Sequence, residues 1–130
     1  MKKFWPTSPD PKSICIEDIA HATARICRYT GHVQDFYSVA EHCVLMSRAI
    51  PQEFRKIALL HDASEAYMND IASPIKQSLS DYKKIEDGVQ KAIAEKFGIP
   101  YPFPAIVDEY DPRILMDERA QVIGDLLPGW

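Results

Sequence analysis

Apolar residues recur at helical spacing in several separate stretches of this chain, and no stretch alternates apolar with polar residues over a useful strand length. That pattern predicts an all-α fold. Ile16, Ile19, Ala20, Thr23, Ile26 and Cys27 follow a helical period, and Gly31 stands where a helix stop belongs. Ser38 and Glu41 form a capping-box pattern that opens a second helix running to about Ile50. Pro51 interrupts it and can serve as the first residue of a third helix, which carries Phe54, Ile57, Ala58, Leu59 and Leu60 and continues to about Met68. Asn69 to Pro74 is a turn-rich link. Ser80 and Asp81 offer a cap for a fourth helix with Tyr82, Ile85, Val89, Ile93 and Phe97 on its inner face, and Gly98 with Pro100 ends it. Tyr101 to Pro104 is a stiff connector. A last helical region covers about Ala105 to Leu127, with Pro112 expected to break or kink it near the front. The expected architecture is a helical bundle of about five main helices. A proline-rich irregular arm over residues 1–15 precedes a single domain over residues 16–130.

With 130 residues, 46% of them hydrophobic, the chain has the length of one domain and enough apolar surface for a core. A net charge of −4 argues against sequence-independent binding of duplex nucleic acid, which needs a basic face. It leaves room for a small anionic ligand held by a few local cations. The longest aliphatic run, Ile57 to Leu60, is far short of the roughly 20 residues of a transmembrane helix. The opening Met-Lys-Lys-Phe-Trp-Pro lacks the apolar stretch of a secretory signal, so no membrane association is expected. Cys15, Cys27 and Cys43 match no zinc pair and include no C-x-x-C; they read as reduced, partly buried thiols of a cytoplasmic protein.

The densest chemistry lies between Ala58 and Asp70, where apolar helix leads straight into His61, Asp62 and Glu65. Imidazole and carboxylate are natural ligands for a divalent cation. On a helix His61 and Asp62 differ in direction by roughly 100°, so they share an ion only if it sits over the crest between them. Glu65, one turn after His61, lies on nearly the same face and could reach water at the metal without ligating. The second helix adds Glu41 and His42 among apolar neighbours, and a fourth ligand could come from Asp108, Asp111 or Asp117. The plain alternatives are a hydrogen-bonded core histidine, solvent-facing carboxylates, and, for Asp111 before Pro112, a helix N-cap.

Four segments carry a resemblance: Glu17 to His32, Phe36 to Cys43, Ala58 to Lys76 and Tyr110 to Glu118. In that order they resemble the HD-domain metal-dependent phosphohydrolases, whose hallmark is His…His-Asp…Asp. Within that family the chain looks like the small bacterial and phage nucleotide phosphohydrolases, the 5′-deoxyribonucleotidases and the dATP triphosphohydrolases of the DatZ type. The resemblance implies an HD-domain bundle that hydrolyses nucleotide phosphate bonds, most simply of deoxynucleotide mono- or triphosphates, by metal-activated water attack.

It also implies roles by position. His42, His61, Asp62 and Asp111 would hold one divalent ion, Co²⁺, Mn²⁺, Zn²⁺ or Mg²⁺. Glu65 would be the acid/base and Asp70 would lie at the sugar end of the pocket. Arg28 and Lys76 would hold phosphate, with Tyr29 and His32 beside the substrate. From the residues alone, Arg28 sits before Gly31 and is expected in the last turn of its helix, where charge compensation is the plain reading; plain solvation is that of Lys76. Three departures from the family matter. Tyr29 stands where the 5′-deoxyribonucleotidases place Trp. Pro112 directly after Asp111 leaves Asp117, or Asp108, as a fallback ligand. The sequence stops at Leu-Pro-Gly-Trp130, shorter than many relatives, so further substrate contacts are missing or the chain is a fragment. Relatives assemble as dimers or larger rings, so a homo-oligomer is expected, with exposed Phe4, Trp5, Tyr101 or Phe103 as contacts. Met68 and Met116 read as core and His21 as structural. A nucleotide-binding or regulatory module with weak turnover, and a hydrolase of another phosphorylated metabolite, are the alternatives.

Overall fold

The computed structural model describes residues 1–123, and among these the fold is all-α. Seven α-helical segments follow one another: α1 (Ile16–Thr23), α2 (Val39–Ala49), α3 (Arg55–Leu60), α4 (Glu65–Met68), α5 (Ser73–Lys76), α6 (Ser80–Phe97) and α7 (Ala105–Glu118). A π-helical turn, Arg119–Ile123, extends α7. The part of the last helical region expected beyond residue 123 lies outside the described residues.

The core forms where the helices' apolar faces converge. Ile19 of α1, Met46 of α2, Ile57 and Leu60 of α3, Val89 and Ile93 of α6 and Val107 of α7 are all buried in one cluster. Burial of each such side chain contributes about 1.5–3 kcal/mol. The amino-terminal arm belongs to this packing: Ile14 is wholly buried, Phe4 stacks on Tyr67 at 4.0 Å, and Asp10 caps a 3₁₀ turn, Pro11–Ser13, by accepting from Lys12 N–H. The capping box is present: Ser38 Oγ accepts from Glu41 N–H, and the Glu41 carboxylate accepts from Ser38 N–H. Gly98 ends α6 in the left-handed conformation, at φ 66°.

Several local expectations are corrected. α1 ends at Thr23 rather than near Gly31, because the backbone beyond it pairs elsewhere. Arg28 N–H donates to Tyr37 O, and Val39 N–H to Ile26 O, around an isolated antiparallel bridge between Cys27 and Ser38. Arg28 is therefore extended, at φ −71° and ψ 166°, and not in a last helical turn. The third helix divides. After α3 the hydrogen bonds tighten to an i→i−3 pattern, with Ala63 N–H on Leu60 O and Glu65 N–H on Asp62 O, before α4 begins. Ser80 is the first residue of α6, and Leu79, at the N-cap, makes no side-chain cap bond.

Pro112 does not break the last helix; α7 runs through it to Glu118, which is buried at its end. Met116 is 73% exposed and is not core. Of the aromatic residues expected on the surface, Trp5 is exposed, while Phe4, Tyr101 and Phe103 pack partly buried against the core. No α-helix among the described residues is long and apolar enough to cross a membrane.

Candidate metal and phosphate site

Three parts of the chain meet at one point. α2 carries His42 on its buried face, the tightened turn after α3 carries His61 and Asp62, and α7, which packs against α2, carries Asp111. His42 Nε2 lies 3.4 Å from His61 Nε2, 3.5 Å from Asp62 Oδ2 and 2.9 Å from Asp111 Oδ1. His61 Nε2 lies 3.2 Å from Asp62 Oδ2 and 3.5 Å from Asp111 Oδ1. Donors about 2.1 Å from a common ion stand about 3.0–3.4 Å apart when they are neighbours in an octahedron or a tetrahedron. The observed separations match that spacing.

The opposite edge of each imidazole decides what the cluster offers. His61 Nδ1 is 2.6 Å from Ala58 O, and a carbonyl only accepts, so Nδ1 carries the proton. His42 Nδ1 faces Glu118 Oε1. Burial alone would raise the Glu118 carboxyl, but its hydrogen bond from His42, with the His42 and Arg28 charges, holds it below its ordinary value. It is therefore an acceptor as well. In their neutral forms both rings thus turn an Nε2 lone pair towards two carboxylates, a donor set suited to a cation. Without one, protons take its place. Burial disfavours the charged imidazoles, yet Asp111 and Glu118 raise His42, and Asp62 and Asp111 raise His61. Burial opposes ionisation of Asp111, and the two histidines outweigh it and hold the carboxylate well below its usual range. His42, His61 and Asp111 bring donor atoms within 4.8 Å of one another and could hold a metal ion, and Asp62 Oδ2 lies within 3.5 Å of both histidine nitrogens. Cys43 also lies within 4.8 Å of the donor atoms of His61 and Asp62, but burial pushes its thiol up, away from the thiolate a metal needs.

Beside this cluster is a polar pocket of about 190 Å³, walled by Arg28, Asp62, Glu65, Asp70, Lys76 and Asp111 among others. Arg28 is buried; one guanidinium nitrogen lies 3.3 Å from Glu118 and another 3.9 Å from Asp62, while Nε has no hydrogen-bond partner among the described residues. Burial lowers Arg28, but Glu118 and Asp62 more than offset this and keep it charged. Lys76 pairs with Glu86 at 2.9 Å and reaches the same pocket.

Glu65 is buried with Oε2 unpartnered among the described residues. Burial first, then the Asp62 and Asp70 charges, drive its carboxyl far above the ordinary range, so it holds a proton at neutral pH. Asp70 follows Asn69, whose φ of 69° turns the chain out of α4 and brings Asp70 back to Glu65. The two carboxyls also border a wider, open cleft of about 740 Å³ that Arg25, Tyr67 and Met68 help to line.

Not every expected residue enters the pocket. Tyr29 lies against Arg28, 5.2 Å from guanidinium carbon to ring centre, and its hydroxyl donates to Glu118 Oε2. It supports the phosphate candidate and is not part of the pocket wall. His32 is exposed, its Nδ1 3.2 Å from Tyr29 O, and lies outside the wall too. Asp117 borders a separate groove of about 380 Å³ with Leu45 and Ile114, so Asp111 and not Asp117 completes the cluster. Asp108 is exposed on the first turn of α7. Sequence reading missed Glu118 and Tyr37, whose hydroxyl donates to Glu118 Oε1 at 2.7 Å. Glu118 lies seven positions beyond Asp111, two helical turns, and that spacing was the available signal.

No protein-family model matches the chain. It is 44% identical over 118 residues to the uncharacterized protein YfdR of Escherichia coli, a match that covers 91% of this chain and 66% of that protein. It is 39% identical over 107 residues to an uncharacterized protein of Rhodobacter capsulatus, covering 75% of this chain and 55% of the relative. The chain thus spans just under two thirds of the first relative and about half of the second.

Proposed function

We propose that this chain is a divalent-metal-dependent phosphohydrolase of the HD-domain kind, acting on a nucleotide, most simply a deoxynucleotide mono- or triphosphate. The observation that carries this reading is the convergence of His42, His61, Asp62 and Asp111, with both Nδ1–H groups engaged elsewhere, beside a small pocket holding a buried arginine with a spare donor. A divalent ion bound there would lower the pKa of water towards about 7 and offset phosphate charge.

The chain's own residues do the rest. Arg28 is held by Glu118 at 3.3 Å, lines the pocket, and brings a fixed positive charge to a phosphate there. Lys76, held by Glu86, adds a second positive charge where negative charge grows in the transition state. Glu65, protonated and next to Asp70, can pass its proton to a leaving oxygen and take one from attacking water on the return. A pocket of about 190 Å³ suits a phosphate and little more, so the nucleoside would extend into the adjoining open cleft.

A panel of deoxy- and ribonucleoside mono- and triphosphates, incubated with protein loaded with Co²⁺, Mn²⁺, Zn²⁺ or Mg²⁺, tests the proposal. Release of phosphate, pyrophosphate or triphosphate from at least one member is the expected result. No turnover of any member with any of these metals defeats it, and nucleotide binding without product would instead favour a binding module.

A further inference from the structure

Glu118 is a buried carboxylate, remote in sequence from α2, that spends both oxygens on the site. Oε1 accepts from His42 Nδ1–H and from Tyr37 OH at 2.7 Å. Oε2 accepts from Tyr29 OH at 3.0 Å and lies 3.3 Å from an Arg28 guanidinium nitrogen. Its side chain is 2% exposed, so these are its surroundings and water is not a substitute for them. We propose that Glu118 is a positioning residue that sets two arms of the site at once: it turns His42 so that Nε2 faces the cation, and it holds the Arg28 guanidinium in place at the wall of the phosphate pocket.

The geometry allows no independent adjustment of the two arms. A carboxylate in this position is the acceptor that forces His42 to carry its proton on Nδ1. The same group balances the charge of Arg28, which otherwise has only Asp62, at 3.9 Å, as an ionic partner among the described residues. Tyr29 and Tyr37 clamp one oxygen each and so fix the plane of the carboxylate. An amide in its place could still accept on one side, but would present N–H to the other, against Arg28 and the Tyr29 hydroxyl. Loss of such a partner to a metal-ligating histidine typically costs about 10–100-fold in metal affinity.

This inference rests on the reading of the His/Asp cluster as a cation site. The test is Co²⁺ titration of wild type, Glu118→Gln and Asp117→Asn, the last a neighbouring carboxylate outside the cluster. Calorimetry gives Kd, the visible spectrum of the Co²⁺ form reports its ligand geometry, and inorganic phosphate is then titrated at saturating Co²⁺. Glu118→Gln should weaken Co²⁺ binding about 10–100-fold, shift the visible band and weaken phosphate binding, while Asp117→Asn changes none of the three. A structural role alone would lower the melting temperature and leave band and affinities as in wild type, and that result overturns the inference. Failure of wild type itself to take up Co²⁺ overturns the cation reading and this inference together. Where Glu118→Gln does not fold, the imidazole ¹⁵N shifts of Co²⁺-free wild type, recorded at a pH where His42 is neutral, decide: a neutral His42 protonated on Nδ1 supports the inference, and one protonated on Nε2 overturns it.

Discussion

A carboxyl that keeps its proton at neutral pH is useful only where something can receive that proton, and Glu65 stands between the His/Asp cluster and the open cleft. Its Oε2 is buried and unpartnered among the described residues, and burial, with the Asp62 and Asp70 charges, keeps it from ionising. It is not one of the converging donors. Glu65→Gln, which matches its shape and protonated hydrogen bonding, should retain bound Co²⁺ and lose about 10²–10⁴-fold in turnover. Metal content by atomic absorption alongside kcat on the best nucleotide checks this, and metal lost together with activity would give Glu65 a ligand's role instead. Tyr29 and Thr30, at φ 56° and 53°, adopt a left-handed backbone that costs about 1–2 kcal/mol per residue. The contacts that offset it are on either side of the turn: Arg28 N–H on Tyr37 O and the Tyr29 hydroxyl on Glu118.

Among the elements, α2 matters most because it carries His42 and packs on both α3 and α7. Its amino terminus is closed by the Ser38–Glu41 capping box. Ser38→Ala should cost about 1 kcal/mol of stability, read as a lower urea midpoint at unchanged m-value; no change would mean that tertiary packing alone sets the start of the helix. α7 bears an internal proline that neither donates a backbone bond nor fits the preceding turn. Pro112→Ala should therefore raise stability by about 1–3 kcal/mol, the interior cost of proline less what its stiffness saves in the unfolded chain. A drop in melting temperature would show instead that the proline-shaped backbone is what Asp111 needs.

At the scale of the whole molecule, the phenols report its integrity. Burial first, with Glu118, raises Tyr29 to about 12; burial first, with Asp18, raises Tyr67 to about 12; and burial first, with Glu86, raises Tyr82 to about 12. A group whose folded pKa lies above its unfolded one favours the folded state below the unfolded value, near 10, and loses that advantage as pH climbs to the folded value. The protein should thus lose stability progressively between about pH 10 and 12, and tyrosinate absorbance should rise with loss of helical circular dichroism. Ionisation of all six tyrosines near pH 10 with the helices intact would contradict the burial described.

Much of this fold was legible in the chain because it rests on short-range physics. The capping box, the Gly98 stop and the helical spacing of Val89 and Ile93 each act within a few residues, and each is found. Where the backbone could bond to a distant partner, local reading failed: α1 stops at Thr23, and beyond a local turn Ile26 O and Arg28 N–H pair with Val39 and Tyr37 around the strand-like bridge between Cys27 and Ser38. Residue types alone nominated His42, His61, Asp62 and Asp111, yet left the last ligand open among three aspartates. Only the packing of α7 on α2 selected Asp111 over Asp117 and brought Glu118 under His42, since which turn of a helix faces a neighbour depends on a contact made across some seventy residues of chain. The sequence by itself determined the ingredients and the helices that carry them; tertiary packing decided which of those ingredients meet.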